Sequence, residues 1–295
     1  MRDRDEEWAA WVDGLPALAA GLMEEWGLLP DGPAMNGYCS LVLPVTTSED
    51  TPAVLKLVGF PDEESEHEHL ALQRWHGDGT VLLYRADPRR RALLLERLQT
   101  RNLETLPDEE ACEVVAGLYP RIHVPALPQL RTLTSYVGQW TDDLATLPRD
   151  SAIPRRLVEQ TLSLARDLLA DPASVGVLIH GDLHGQNVLA ADREPWLVID
   201  PKPMSGDPHY EPAPMLWNRI QKEQRTGGDL RVLLLRLFHT LVDVAGLDED
   251  RARAWVVVRM VLNASWTVLE ADGPLDADDQ EWITTCVTIA KAVQD

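Results

Sequence analysis

The stretch His180-Gly181-Asp182-Leu183-His184-Gly185-Gln186-Asn187 places a carboxylate five residues before an amide, and Asp200 ends the later apolar run Trp196-Leu197-Val198-Ile199. Carboxylate and amide oxygens at strand ends suit a base beside a hard-cation site. Mg2+ takes oxygen ligands, keeps several waters and draws further ligands from nucleotide phosphates. Asn187 and Asp200 are then the metal ligands, and Asp182 is left to face an acceptor hydroxyl. The offsets keep those of the kinase loop H-R-D-L-x-x-x-N and its later metal Asp, with Gly181 where that pattern has Arg. The chemistry is phosphoryl transfer; the plain alternative is a polar turn whose side chains satisfy backbone donors.

Four further features extend this reading. Lys56 lies in Ala53-Val54-Leu55-Lys56-Leu57-Val58, where a strand lysine can hold nucleotide phosphates or can serve as a charge that blocks edge pairing. A glutamate on the following helix should position it; Glu68 is the choice, with Glu64 next on the same face. Asn36-Gly37-Tyr38-Cys39-Ser40 is either a phosphate-covering turn, with the Ser40 hydroxyl as donor, or an ordinary turn. The backbone around Glu96 and Leu98 has the profile of a segment that pairs with adenine. Lys202 either approaches phosphate or covers its own turn. Asp207 and Glu211 are read as a helix cap and a structural anion. Glu270, Asp272 and the run Asp276–Glu281 are acidic candidates for a cationic acceptor, although such runs are usually solvated faces.

The elements that must hold these residues follow from periodicity. Glu6–Gly27 repeats apolar residues every three or four positions, as an amphipathic helix does. Strands are expected over Cys39–Val45, Ala53–Val58, Thr80–Arg85 and Ala92–Leu98, with a helix from Pro61-Asp62-Glu63 to Trp75. That order makes a small α+β lobe on an antiparallel sheet, residues 1–97. Residues 98–295 are expected to be mainly helical, with helices over Asp108–Leu118, Pro154–Leu169, Tyr210–Arg225, Leu230–Ala245, Asp248–Leu269 and Asp279–Val293. The Pro-rich span Pro120–Pro128 is read as a connection, and a cleft between two lobes is an ordinary ligand site.

The whole chain narrows the partners. A net charge of −21 repels nucleic acid and is compatible with a cationic small molecule. Three cysteines without paired spacing suggest neither disulfides nor zinc. No apolar run reaches membrane-spanning length and the start is acidic, so a cytoplasmic protein with no evident protein partner is expected.

With those residues in view, the chain resembles the aminoglycoside phosphotransferase family, in the branch of streptomycin 6-phosphotransferases and hydroxyurea-resistance kinases. The resemblance rests on Glu68–Trp75, Arg85-Ala86-Asp87-Pro88, Leu93–Leu98 and Leu178–Leu189. It rests above all on Trp196–Pro203, with Gly206-Asp207-Pro208 and Ala213–Asn218. It implies a protein-kinase-like bilobal α+β fold using ATP and Mg2+. It also implies Asp182 as catalytic base, Asn187 and Asp200 as metal ligands, and Lys56 with Glu68 as the phosphate-holding pair. The expected activity is ATP-dependent phosphorylation of a hydroxyl on a small, cationic molecule such as streptomycin, conferring antibiotic resistance. A non-antibiotic metabolite as acceptor, and a catalytically silent nucleotide-binding module, are the alternatives.

Overall fold

The computed structural model describes residues 6–148, 150–223, 229–271 and 273–294. Its contacts separate two compact units, Met1–Arg101 with Leu189–Pro203, and Asn102–Val188 with Met204–Asp295. The first division therefore falls after residue 101 rather than 97, and the segment carrying Asp200 belongs with the smaller unit.

The first unit opens with helix α1 (Glu6–Trp26), followed by strands β1 (Leu29–Pro30), β2 (Met35–Asn36), β3 (Ser40–Thr46) and β4 (Pro52–Val58). Helix α2 (Glu68–Trp75) then leads to strands β5 (Leu83–Asp87) and β6 (Ala92–Glu96). The sheet runs β1-β3-β4-β6-β5, with β2 also on β3, and every pairing is antiparallel. Side chains alternate across a strand, so Ala53, Leu55 and Leu57 of β4 form a core with Trp8, Trp11, Leu15, Leu22 and Trp26 of α1. Leu22 is fully buried there, a contribution of about 1.5–3 kcal/mol. Lys56 has the opposite parity and sits between Val42 of β3 and Leu93 of β6. It is an interior-strand residue, so the edge-blocking use of this lysine does not apply.

The helix expected to start near Pro61 is divided into a 3-10 turn at Glu63–Ser65 and then α2. Ser65 Oγ donates to Asp62 Oδ2 at 2.6 Å, a local side-chain bond that competes with continuous helix. Helix α2 ends where His76 takes a left-handed conformation, φ 50°.

The second unit contains α3 (Asp108–Ile122), α4 (Leu133–Ala145), α5 (Arg155–Ala170), α6 (Pro212–Glu223), α7 (Leu230–Ala245), α8 (Glu249–Glu270) and α9 (Ala277–Ala292). Helix α3 runs through Pro120, beyond its expected end. Helix α4 was not expected: Thr134, Ser135, Val137 and Gly138 are weak helix formers. Its Thr132 cap, accepting from the Ser135 N–H, and burial of Leu133, Val137 and Leu144 outweigh that preference. Helix α8 is buried around most of its circumference from Trp255 to Ser265, as the central helix of a helical unit must be. Strands Val177–Ile179 and Met204–Gly206 pair antiparallel, with Ile179 opposite Met204, and deliver the chain to His180.

Candidate active site

In the first unit, the Nζ of Lys56 lies 2.7 Å from each carboxylate oxygen of Glu68 and 2.6 Å from Oδ1 of Asp200. The lysine and glutamate side chains are 7% and 1% exposed, whereas Asp200 is 37% exposed. Burial pushes the Lys56 ammonium down, but the charges of Asp200 and Glu68 outweigh it and hold its pKa above the ordinary value. Asp200 adopts a left-handed backbone, φ 56°, uncommon for a side chain with a Cβ and a feature that concentrates at functional sites.

The other nucleotide candidates occupy varied settings. Ser40 starts β3 and is buried; its carbonyl accepts the Gly37 N–H at 2.9 Å. A Cβ on Gly37 would stand 2.8 Å from Ser40 Oγ, so any larger residue here would make that hydroxyl turn aside. Glu96 closes β6, and its N–H donates to the Leu82 carbonyl at 2.9 Å. Its carboxylate accepts from the Leu82 N–H at 3.1 Å and Arg193 Nε at 2.9 Å, which makes it a clamp on the 77–82 turn. Leu98 lies just past the strand, partly buried. Lys202 bonds Asp62 at 2.8 Å and also Ser65.

In the second unit, Asp182 and Asn187 belong to one loop closed on itself. Asn187 Nδ2 donates to the Asp182 carbonyl at 2.8 Å, and the Asn187 N–H donates to the His184 carbonyl at 3.0 Å. The first bond commits the amide nitrogen and leaves the amide oxygen, a donor type that fits a hard cation. His184 Nδ1 accepts the Gln186 N–H at 3.3 Å, and its Nε2 lies 3.8 Å from Asp182 Oδ2. Among the described residues no cluster of three or more His, Cys, Asp or Glu side chains could hold a metal.

The loop rests on residues whose partners sequence reasoning did not identify. Glu211 is fully buried, and its Oε1 accepts the N–H of His180 at 2.5 Å and of Gly181 at 3.3 Å. Burial alone would raise its carboxyl; His123 at 3.7 Å and the His180 donor hold it below the ordinary value. Arg259 of α8 donates to the Gly181 carbonyl at 2.5 Å and lies over the rings of Tyr210 and Trp217 at 4.3 and 4.8 Å. Gly181 has φ 82°, open to glycine at little cost. Asp207 caps the turn Pro208–Tyr210 and accepts from His209, Arg251 and Trp255, each at 2.6 Å. The one sequence signal for these partners was a Gly-Asp-Pro turn followed by an acid and an apolar run.

Of the acidic acceptor candidates, Asp276 and Asp279 form a capping box at the start of α9. Glu270 is exposed at the end of α8, and Asp272 lies outside the described residues.

Comparison with known proteins bears on this geometry. A family profile described as aminoglycoside/hydroxyurea antibiotic resistance kinase matches residues 25–271. Streptomycin 6-kinase of Streptomyces glaucescens is 38% identical over 297 residues, covering 98% of this chain and 92% of its own. Hydroxyurea phosphotransferase of Kitasatospora aureofaciens is 39% identical over 292 residues, covering 96% and 81%. Among solved structures, choline kinase LicA from Streptococcus pneumoniae superposes with a TM-score of 0.62 at 16% identity, over 94% of this chain and 99% of that one. A thermostable aminoglycoside phosphotransferase APH(4)-Ia with ADP and hygromycin B gives 0.61 at 19%, over 92% and 97%. At such identities the structures establish the fold alone, and that fold is kinase-like.

Proposed function

Because the chain belongs to the aminoglycoside/hydroxyurea antibiotic resistance kinase family, we propose that it transfers the γ-phosphoryl group of ATP to a hydroxyl of a cationic aminoglycoside. Streptomycin is the first acceptor to test, and resistance to it is the biological outcome. The observation that carries this reading is the Lys56 ammonium shared between Glu68 and Asp200 at 2.6–2.7 Å. A cation so held is ready to meet phosphate oxygens, and phosphoryl transfer depends chiefly on placement and charge.

Each unit supplies part of the chemistry. Lys56 neutralises phosphate charge, and Glu68 keeps its ammonium aimed. Asp182 orients the acceptor hydroxyl and takes its proton. Asn187 and Asp200 would hold Mg2+, whose charge, when bound, offsets that of the triphosphate. The acidity of the chain, net −21, favours a cationic acceptor over an anionic one. Dependence on ATP points to the cytoplasm as the place of action.

The hydroxyurea phosphotransferase relative, at 39% identity, favours a second reading with a smaller, uncharged acceptor. Purified protein with ATP and Mg2+ should therefore be assayed against streptomycin, other aminoglycosides, hydroxyurea, sugars and amino alcohols. Phosphate appearing on streptomycin supports the first reading. Phosphate on hydroxyurea alone selects the second, and transfer to none of the panel overturns both.

A further inference from the structure

Lys202 is left unused by the chemistry above, yet like Lys56, the other lysine of the first unit, it is held by buried partners. Its Nζ donates to Asp62 Oδ2 at 2.8 Å and to Ser65 Oγ, and Ser65 Oγ donates to the same Asp62 oxygen at 2.6 Å. Lysine can only donate, so the hydroxyl accepts from Lys202 and passes its own proton toward Asp62. The three side chains satisfy one another in a buried setting: Lys202 and Asp62 are 15% and 6% exposed. Asp62 is fixed in turn, because Arg91 Nη1 donates to its carbonyl at 2.7 Å and to those of Gly59 and Phe60 at 3.0 Å.

Two residues upstream stands Asp200 with its left-handed backbone. The segment Asp200-Pro201-Lys202-Pro203 alternates with prolines, which carry no N–H for a ladder bond and restrict the residue before each. Backbone pairing is poorly suited to hold such a segment, and side chains must do so. They grip it twice: Asp200 through Lys56 to Glu68 at the start of α2, and Lys202 directly to the 3-10 turn that precedes α2.

We propose that Lys202, with Asp62 and Ser65, is a positioning latch that fixes the backbone of Asp200 so that its carboxylate is presented to the metal. This rests on the reading of Asp200 as a Mg2+ ligand. In this role Lys202 acts through the backbone of residues 200–202, by way of its bonds to Asp62 and Ser65.

The test is Mn2+ binding, read by electron paramagnetic resonance with AMP-PNP present, on the full chain and its variants. Lys202→Met should weaken Mn2+ binding by about 10- to 100-fold, the effect typical of residues that orient metal ligands. Metal-free AMP-PNP binding should stay within about twofold, since Lys56 and Glu68 are untouched. Because the charge removal in Lys202→Met can cost folding, Ser65→Ala is the milder second variant, expected to weaken Mn2+ binding by several fold. Lys202→Met combined with Asp62→Asn should be no worse than Lys202→Met alone, as members of one device are not additive. Unchanged Mn2+ binding in Lys202→Met or in Ser65→Ala, or additive losses in the double variant, overturns the latch. An Asp200→Ala chain that binds Mn2+ as the natural one does overturns the metal-ligand reading beneath it.

Discussion

The Glu211 carboxylate accepts the backbone N–H of His180 at 2.5 Å, across 31 residues of sequence. The same oxygen takes the N–H of Gly181, so one buried anion fixes the entry to the loop bearing Asp182. Glu211→Ala strands these amides in a buried site and should cost about 3–5 kcal/mol, as removal of one member of a buried charged network does. Glu211→Gln keeps an acceptor and should cost clearly less. Urea unfolding of the two variants checks this; equal stability of Glu211→Ala and the natural chain would sink it.

Glu211 also predicts an acid-side dependence. Its folded pKa lies below the ordinary glutamate value, as does that of Asp207 below the ordinary aspartate value, where burial is opposed first by His209. The unfolded chain therefore binds protons more readily as pH falls. The stabilisation is complete above the ordinary carboxylate range and is lost as pH drops through the lowered folded values. Unfolding midpoints between about pH 6 and pH 3 should fall for the natural chain and fall less steeply for Glu211→Gln.

Asp182→Ala should reduce turnover by about 10²- to 10⁴-fold, the usual worth of a positioned general base. AMP-PNP affinity should hardly move, because Lys56, the lysine proposed to hold phosphate, lies elsewhere. Steady-state kinetics beside equilibrium nucleotide binding separates the two; turnover at the natural rate removes Asp182 from its role.

Lys56→Met leaves the Glu68 carboxylate, 1% exposed, without its partner. The variant should lose about 3–5 kcal/mol of stability along with its nucleotide affinity. Adding Glu68→Gln should recover much of the stability and none of the affinity. Lys56→Arg is no conservative exchange, since a planar guanidinium does not fit a site built for three short ammonium bonds. Thermal melting and AMP-PNP titration of the set measure both effects.

Gly206→Ala tests the pairing that presents the loop. A Cβ there would fall 2.4 Å from Ile179 Cδ1 and 2.9 Å from Cγ1, with Leu133 Cβ at 3.3 Å. Overpacking of this kind costs about 1–3 kcal/mol. A melting temperature equal to that of the natural chain would show that Ile179 yields freely.

Much of the site was legible because its spacing is local. Lys56 and Glu68 lie twelve residues apart on a strand and the helix after it, and they meet at 2.7 Å. The Asp182 loop is short enough that offset alone brings Asn187 back to the Asp182 carbonyl. Helix α4 was not legible, because its weak helix formers are overruled by burial of Leu133, Val137 and Leu144. The split before α2 was hidden too, since it follows from bonds that Asp62 and Ser65 make to each other and to a lysine far along the chain.

The sequence by itself determined the residue types, their order and the period of their apolar neighbours; from these came the chemistry and the small α+β lobe, while the resemblance of its motifs implied the kinase-like fold and the family. Tertiary structure alone decided the partners of the buried charges. For Lys202 the sequence offers phosphate or its own turn as partners, and in the fold its ammonium bonds Asp62 and Ser65, 140 and 137 residues away. Glu96 was read for its backbone, yet its carboxylate clamps Arg193. The physical reason is the same in each case. A buried charge must find a counterpart or donors, and which counterpart it meets is set by how elements pack, information spread over the whole chain rather than written beside the residue.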